Sequence, residues 1–389
     1  MDTVRHFIDV STHSLNKYGE ELCGDKVEIY KSEDKTIIVL ADGLGSGVKA
    51  NILATLTSKI AITMLSSGED IEETISTIVS TLPVCNVRKI AYSTFSIVEI
   101  DKDLNCRLIE CDNPPVFFIR NGRLLKAEKE EIDFGYKKVQ FSSLKLSCND
   151  VLTVCSDGVI HAGVGNILNH GWEWKHVADF LQRQHVESAE KYNLRLIETC
   201  NQLYGKKPGD DTTAVTVKIR KPRIVNIFSG PPENQDDDSY YVKEFMNTKG
   251  LKVVCGGTAA NIFSRELARE IITTLDYIDP KIPPIAKIKG LDLVTEGVLT
   301  LQHTLLKLKD LSNCCEEPRL DKNDGSTLLL KTLIEDCTHV NFWIGKAINP
   351  AHQNPDFPAE LSIKFNILNE LGEVLLGMGK EINRYCMKR

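Results

Sequence analysis

No apolar run in this chain approaches the ~20 residues that a membrane-spanning helix needs, and no cysteines stand in Cys-x-x-Cys spacing. The first absence argues against a membrane partner, and the second against paired-thiolate zinc and redox centres. Cys314-Cys315 has no partner motif for an iron–sulfur cluster. His170, His176 and His185 lie 6 and 9 residues apart, which is not the i, i+4 spacing of zinc ligands on a helix. Repeats and long low-complexity tracts are absent too. The opening Met1-Asp2-Thr3-Val4-Arg5 lacks the pattern of a signal peptide. The 12 cysteines are therefore expected as reduced, mostly buried thiols in a cytoplasmic protein. A formal net charge of −7 counts against a nucleic-acid partner, because phosphate backbones are gripped by clustered Lys and Arg.

With 389 residues, 42% hydrophobic and 26% charged, the chain is long enough for two ordinary domains. Lys221-Pro222-Arg223 marks the expected boundary, giving domains at residues 1–221 and 222–389. In the first, the β-rich run Thr36-Ile37-Ile38-Val39-Leu40-Ala41 ends on Asp42-Gly43-Leu44-Gly45-Ser46-Gly47. A buried strand ending this way sets its carboxylate at the rim of a core, with backbone carbonyls beside it. Such a rim suits Mg²⁺ or Mn²⁺, which take oxygen ligands and keep open positions. One Asp-Gly is a common turn, but here the pattern recurs. Val151-Leu152-Thr153-Val154-Cys155-Ser156 ends on Asp157-Gly158, and Gly209-Asp210-Asp211-Thr212-Thr213 leads into an alternating strand. Leu22-Cys23-Gly24-Asp25 precedes a further strand-like run. Four such edges meeting would supply about the oxygen donors that two cations need.

Cys23-Gly24-Asp25, Ala41-Asp42-Gly43-Leu44-Gly45-Ser46-Gly47, Ser156-Asp157-Gly158-Val159 and Asp210-Asp211-Thr212-Thr213 resemble the signatures of metal-dependent type-2C serine/threonine phosphatases. The order, the spacing and Asp112-Asn113-Pro114-Pro115-Val116-Phe117 look most like the bacterial SpoIIE branch. The resemblance covers about residues 4–220 and stops there. It implies an enzyme of bacterial signalling that hydrolyses phosphoserine or phosphothreonine with two divalent ions, Mn²⁺ or Mg²⁺, and a water nucleophile. It implies that Asp42, Asp157 and Asp210 are catalytic, with Asp42 bridging the ions and the Gly43 carbonyl on one of them. Asp25 would share that ion, Asp157 and Asp210 would hold the other, and Asp211 would orient a water beside them. The implied substrate is a phosphorylated protein of the anti-sigma-factor-antagonist type. Eukaryotic relatives carry His two residues after the bridging Asp, where this chain has Leu44; the bacterial branch shares that absence.

Element patterns complete the first domain. Val48, Ile52, Leu56, Ile60 and Met64 form one helical stripe, and Ile71, Ile75, Ile78, Val79 and Leu82 a second, with a break at Ser67-Gly68. This helix pair is expected to cover a sheet, and it offers a face for a homodimer. β-like runs follow at residues 91–100, 106–111, 116–119 and 139–146, with Asn121-Gly122 as a hairpin turn. Helices are expected at 172–184 and 188–204. The fold class is therefore α/β: a type-2C-like β-sandwich flanked by helix pairs, then a second, smaller α/β domain.

In that second domain, strands are expected at 224–228 and 361–367, a helix at 293–308, a loop at 349–355 and a basic tail at 380–389. Between Leu251 and Ile262 lies a strand–turn–helix through Gly256-Gly257-Thr258. A turn of this kind can hold an anion at the helix N-terminus. A tight turn with close helix–sheet packing is the commoner explanation, since the Gly-x-x-x-x-Gly-Lys and Gly-x-Gly-x-x-Gly spacings are missing. Two rival functions stand beside the phosphatase: a catalytically silent phosphoprotein-binding module, and a small-anion or nucleotide sensor acting through this C-terminal domain.

Overall fold

The computed structural model describes residues 6–81, 93–134, 137–273, 285–313, 323–345 and 363–387. Cys314-Cys315, Leu82 and the loop at 349–355 lie outside them. Two compact units emerge, Ile8–Arg220 and one built on Lys221–Arg389.

The first unit runs β1 (Phe7–Leu15), β2 (Asp25–Lys31), β3 (Lys35–Gly43), α1 (Gly47–Ser67), α2 (Ile71–Thr81), β4 (Ser93–Asp101), β5 (Asn105–Cys111), β6 (Phe117–Arg120), β7 (Arg123–Leu125), β8 (Glu130–Asp133), β9 (Lys138–Lys145), β10 (Val151–Cys155), α3 (Asp157–Ile160), α4 (Trp174–Gln182), α5 (Ala189–Leu203) and β11 (Thr212–Arg220). These strands make a six-stranded sheet, β2-β3-β4-β5-β9-β8, and a five-stranded sheet, β1-β11-β10-β6-β7. The uninterrupted apolar run of β3 arises because both of its faces are covered. Ile38 and Leu40 pack with Val98, Leu152, Val154, Val215 and Val217 between the sheets. Ile37, Val39 and Ala41 pack with Ala54, Ala61, Leu65, Ile75 and Ile78 of α1 and α2. This is the sandwich expected from the sequence.

Helix α1 departs from expectation in which face it buries. The side chains of Val48, Ile52 and Leu56 are exposed (62%, 53% and 48%), while Ala50, Leu53, Ala54, Thr57, Ser58, Ala61, Ile62 and Leu65 are buried. Close approach selects the small face: the backbone of Ala50 sits where a Cβ on Gly43 would go. Burial of Thr57 and Ser58 is cheap, since their hydroxyls donate to the carbonyls of Leu53 (2.9 Å) and Thr55 (3.2 Å). Gly68 (φ +93°) ends the helix, with the N–H groups of Gly68 and Glu69 donating to Leu65 and Met64. By length and composition this helix could cross a bilayer; in the fold it is laid on the sheet.

The second unit runs β12 (Ile224–Ser229), α6 (Asp238–Asn247), β13 (Leu251–Cys255), α7 (Gly257–Leu267), β14 (Ile272–Thr273), β15 (Ala286–Lys287), β16 (Leu293–Thr295), α8 (Val298–Asn313), α9 (Gly325–Lys331), β17 (His339–Gly345), α10 (Ile363–Gly377) and β18 (Glu381–Met387). Its sheet has the order β14-β15-β16-β13-β12-β17-β18. The pairs from β16 across to β18 are all parallel. Strand order 3-2-1-4-5 with helical crossovers is a doubly wound sheet. The face formed by Phe228, Val254 and Val294 packs on α6 and α7. There the rings of Phe228, Phe245 and Phe263 meet edge-on at 4.9–5.4 Å.

Three expectations are corrected here. Residues 363–377 are helical, because the seven-residue alternation at 361–367 overlaps a longer stripe, Ile367, Leu368, Leu371 and Leu375, which is what becomes buried. The basic tail contains an edge strand that pairs with β17 from His339↔Glu381 to Gly345↔Met387. The helix expected from Leu293 begins only at Val298, after the short strand β16.

Candidate metal centre

Strand alternation decides where the first unit's aspartates point. Ile38 and Leu40 face the sandwich interior, so Asp42, two residues further, faces the same side at the sheet's edge. Asp25 is its antiparallel partner, and directly opposed residues share a face with Cβ atoms ~5 Å apart. Two carboxylates thus confront each other on the six-stranded sheet. The other sheet brings the rest. Ser156, which follows β10, donates through Oγ to Asp25 Oδ2 (2.7 Å) and so ties the two sheets together at this edge. The next residue, Asp157, opens α3. Asp210 and Asp211 immediately precede β11, whose Thr213 receives the Ser156 backbone N–H at its carbonyl.

The arrangement leaves little freedom. A Cβ on Gly158 would overlap the carbonyl of Asp211, so this close crossing of α3 and β11 requires glycine. The Lys17 N–H donates to Asp211 Oδ1 (3.0 Å), and the Lys17 ammonium lies 3.8 Å from Asp210. The hydroxyl of Tyr204 donates to the Gly158 carbonyl (2.7 Å). Ser156, Lys17 and Thr213 were not singled out from the sequence. Ser156 carried a local signal, its place just before Asp157-Gly158; Lys17 had none, being 194 residues from Asp211.

The electrostatics are those of a site short of positive charge. Burial, then the charges of Asp25, Asp157, Asp210 and Asp211, push the Asp42 carboxyl up to about 9. Burial raises Asp25 to about 7, against hydrogen bonds from Ser156 and Thr213, with Asp211 and Asp157 adding to the rise. Asp210 is raised by burial and by Asp157, and Lys17 opposes this. Burial and the Asp25 charge push Cys23 up to about 12, so it stays a neutral thiol. Asp25 Oδ1 and Asp211 Oδ2 are buried without a hydrogen-bond partner. Orphaned carboxylate oxygens among mutually repelling acids are the donor set a hard divalent cation takes. The residues therefore fit such ions. Among the described residues no three carboxylate, imidazole or thiolate groups close on one point, so the fit rests on the orphaned oxygens and the mutual repulsion of the acids.

All five candidate aspartates thus belong to one electrostatic cluster. His161, at the end of α3, is exposed. Gly256, Gly257 and Thr258 lie in the other unit, where Gly256 (φ +125°) joins β13 to α7.

A two-sheet sandwich with helices outside and an acidic rim is the architecture that the resemblance to type-2C phosphatases implied. Residues 32–220 match the family model for Stage II sporulation protein E (SpoIIE). The chain is 28% identical over 189 residues to Stage II sporulation protein E of Bacillus subtilis (strain 168), covering 48% of this chain and 22% of that one. The same protein of Priestia megaterium is 24% identical over 226 residues, covering 56% and 37%. This chain therefore spans well under half the length of the curated relatives it matches. Among solved structures, the PP2C phosphatase domain with a fragment of the regulatory domain of SpoIIE from Bacillus subtilis aligns at 23% identity. Its TM-score is 0.49, and the alignment covers 56% of this chain and 64% of that one.

Proposed function

We propose that the Ile8–Arg220 unit is a metal-dependent protein phosphatase that cleaves phosphoserine or phosphothreonine monoesters. The observation that carries this reading is the pairing of Asp25 with Asp42 on one sheet, tied by Ser156 to the sheet end that bears Asp157. Asp25, Asp42, the Gly43 carbonyl, Asp157 and Asp210 would hold two divalent ions, Mn²⁺ or Mg²⁺. When bound, such ions would supply an acidified water and neutralise charge on the phosphoryl oxygens.

The chain's own residues do the rest. The β2–β3 register holds Asp25 and Asp42 at a fixed separation. The Lys17 N–H holds one oxygen of Asp211 and leaves the other, Oδ2, buried beside Gly24 without a hydrogen-bond partner, where it would orient water. The Lys17 ammonium adds positive charge near Asp210, where a phosphate would approach. Leu44 offers no proton to the leaving serine oxygen, so that proton comes from solvent. With no fixed arginine among the matched motifs, binding of the phosphate itself is weak. Specificity then rests on the surface of a phosphoprotein partner, and the resemblance of the motifs implies a substrate of the anti-sigma-factor-antagonist type.

The test is hydrolysis of an aryl phosphate and of a phosphopeptide, with Mn²⁺ and with chelator, by wild type and Asp42→Asn. Turnover that requires both Mn²⁺ and Asp42 is expected. Turnover indifferent to either would remove this mechanism. Phosphopeptide binding without any turnover would make the domain a recognition module instead.

A further inference from the structure

The seven-stranded sheet of the second unit ends on β18, and among the described residues no strand pairs with its outer side. The register with β17 runs unbroken from His339↔Glu381 to Gly345↔Met387, so no bulge interrupts this edge. The Glu381 N–H donates to the Thr338 carbonyl (3.0 Å), which fixes the phase of the parallel ladder. Glu381, Asn383 and Tyr385 therefore turn their backbone groups toward β17, and Ile382, Arg384 and Cys386 turn theirs outward. Asn383, Arg384, Tyr385 and Cys386 are exposed. Edge strands are ordinarily guarded by proline, lysine, a bulge or short length. β18 has seven residues and none of these guards. Its two charged side chains are held by their own chain, Arg384 by Glu373 of α10 (2.9 Å) and Glu381 by His339 (3.0 Å).

A row of amides crosses the sheet to that edge. Asn226 is fully buried on β12, and its Nδ2 donates to the carbonyls of Lys249 and Leu251. Its register partner Asn341 donates to Asn226 Oδ1 (2.9 Å). Asn383, the next partner outward, donates to Asn341 Oδ1 (3.0 Å). A carboxamide carries two donor hydrogens and an accepting oxygen, so Asn383 ends the row with Oδ1 and one N–H unspent among the described residues. We propose that this edge pairs with β18 of a second copy of the chain, antiparallel about a two-fold axis at Asn383. In that register the outward N–H and carbonyl of Ile382 exchange bonds with those of the partner's Arg384. Asn383 then faces the partner's Asn383 as a non-hydrogen-bonded pair, with Cα atoms ~4.5 Å apart, and the two amides satisfy each other. An axis at Arg384 would instead set two guanidinium groups directly opposite, which is unfavourable. A foreign strand could use the same backbone groups, but a second copy brings the matching amide by symmetry, and the closed pair leaves no such edge exposed. The edge belongs wholly to the second unit, so the outcome does not bear on the phosphatase reading.

The test is sedimentation of the full chain over a concentration series reaching roughly 100 µM, since a narrow interface binds weakly. A monomer–dimer equilibrium is expected. Asn383→Lys opposes two ammonium groups across the axis and should raise the dissociation constant about tenfold or more. Ile382→Pro removes an outward N–H while sparing the bonds to β17. It should weaken the dimer severalfold, and it carries the test should Asn383→Lys fail to fold. Ile52→Ser, on the exposed stripe of α1, should leave association unchanged, which separates this edge from the helix pair as the dimer face. Cross-linking in a Cys386→Ser background reads the register. Asn383→Cys should form an intermolecular disulfide on mild oxidation, because a Cα separation of ~4.5 Å permits one; Tyr385→Cys should not. A monomer throughout the series, a dissociation constant unmoved by both edge variants, loss of the dimer in Ile52→Ser, or cross-linking from position 385 as fast as from 383 would each overturn the proposal.

Discussion

The two units place their chemistry at strand ends, but with opposite electrostatics. The rim of the sandwich gathers five aspartates, one lysine close by and orphaned carboxylate oxygens. The carboxyl edge of the doubly wound sheet packs the Gly345 backbone on Gly230 and Pro231, with the Lys364 ammonium donating to the Gly345 carbonyl. Strand ends are where a regular sheet stops consuming its backbone groups, so each unit is free to specialise there. At the sandwich rim the aspartates suit a cation; at the other edge a lysine closes on packed glycine backbone.

The sharpest way to break this contrast is Asp42→Asn. Hydrolysis should fall on the order of 10³-fold, since several kcal/mol of charge stabilisation depend on the ions it would hold. The same change should stabilise the protein in chelator. A carboxyl whose folded-state pKa is raised to about 9 binds its proton more tightly in the fold. It therefore costs stability progressively as pH rises above its ordinary value of 3.8. At pH 7 the neutral amide removes that cost, and the melting temperature should rise by ~2–4 °C for each kcal/mol relieved. Calorimetry with and without Mn²⁺ reads both signs at once.

Next in size is Phe245→Ala. The ring is fully buried against Phe228, Phe263 and Trp343, so its loss should cost about 3–5 kcal/mol. Denaturant unfolding should show the loss while hydrolysis per folded molecule stays unchanged; a matching fall in turnover would mean the units are not separate in function. Asp211→Asn should lower turnover about 10- to 100-fold by loosening what it orients, with a smaller effect on Mn²⁺ affinity than Asp42→Asn has. Smallest is Ile52→Ser on the exposed stripe of α1, expected within about 0.5 kcal/mol of wild type. A larger loss would show that this stripe, and not the alanine face, is covered in solution.

How much of this was legible beforehand depended on sequence distance. Asp42 and Asp157 announced themselves because each ends a local apolar run, and strand alternation then fixes their direction. The pairing of Asp25 with Asp42 was implied only by resemblance, because register is a property of two strands. The α1 stripe misled for a physical reason. Larger apolar residues mark a buried face on average, but a helix seated tightly on a sheet selects alanine, threonine and serine. Residues 361–367 misled because seven residues fit both periods, and the deciding positions, Leu371 and Leu375, lie beyond that window. The packing of Lys364 on Gly230 could not be foreseen at all, the two being 134 positions apart with no motif around either.

The most direct test of the central claim is a Mn²⁺ titration of the full chain, followed by paramagnetic resonance, for wild type, Asp42→Asn and Asp157→Asn. If aspartates from both sheets hold the ions, wild type binds Mn²⁺ saturably and each variant loses at least part of that binding. Equal binding in all three, or none in wild type, would contradict it.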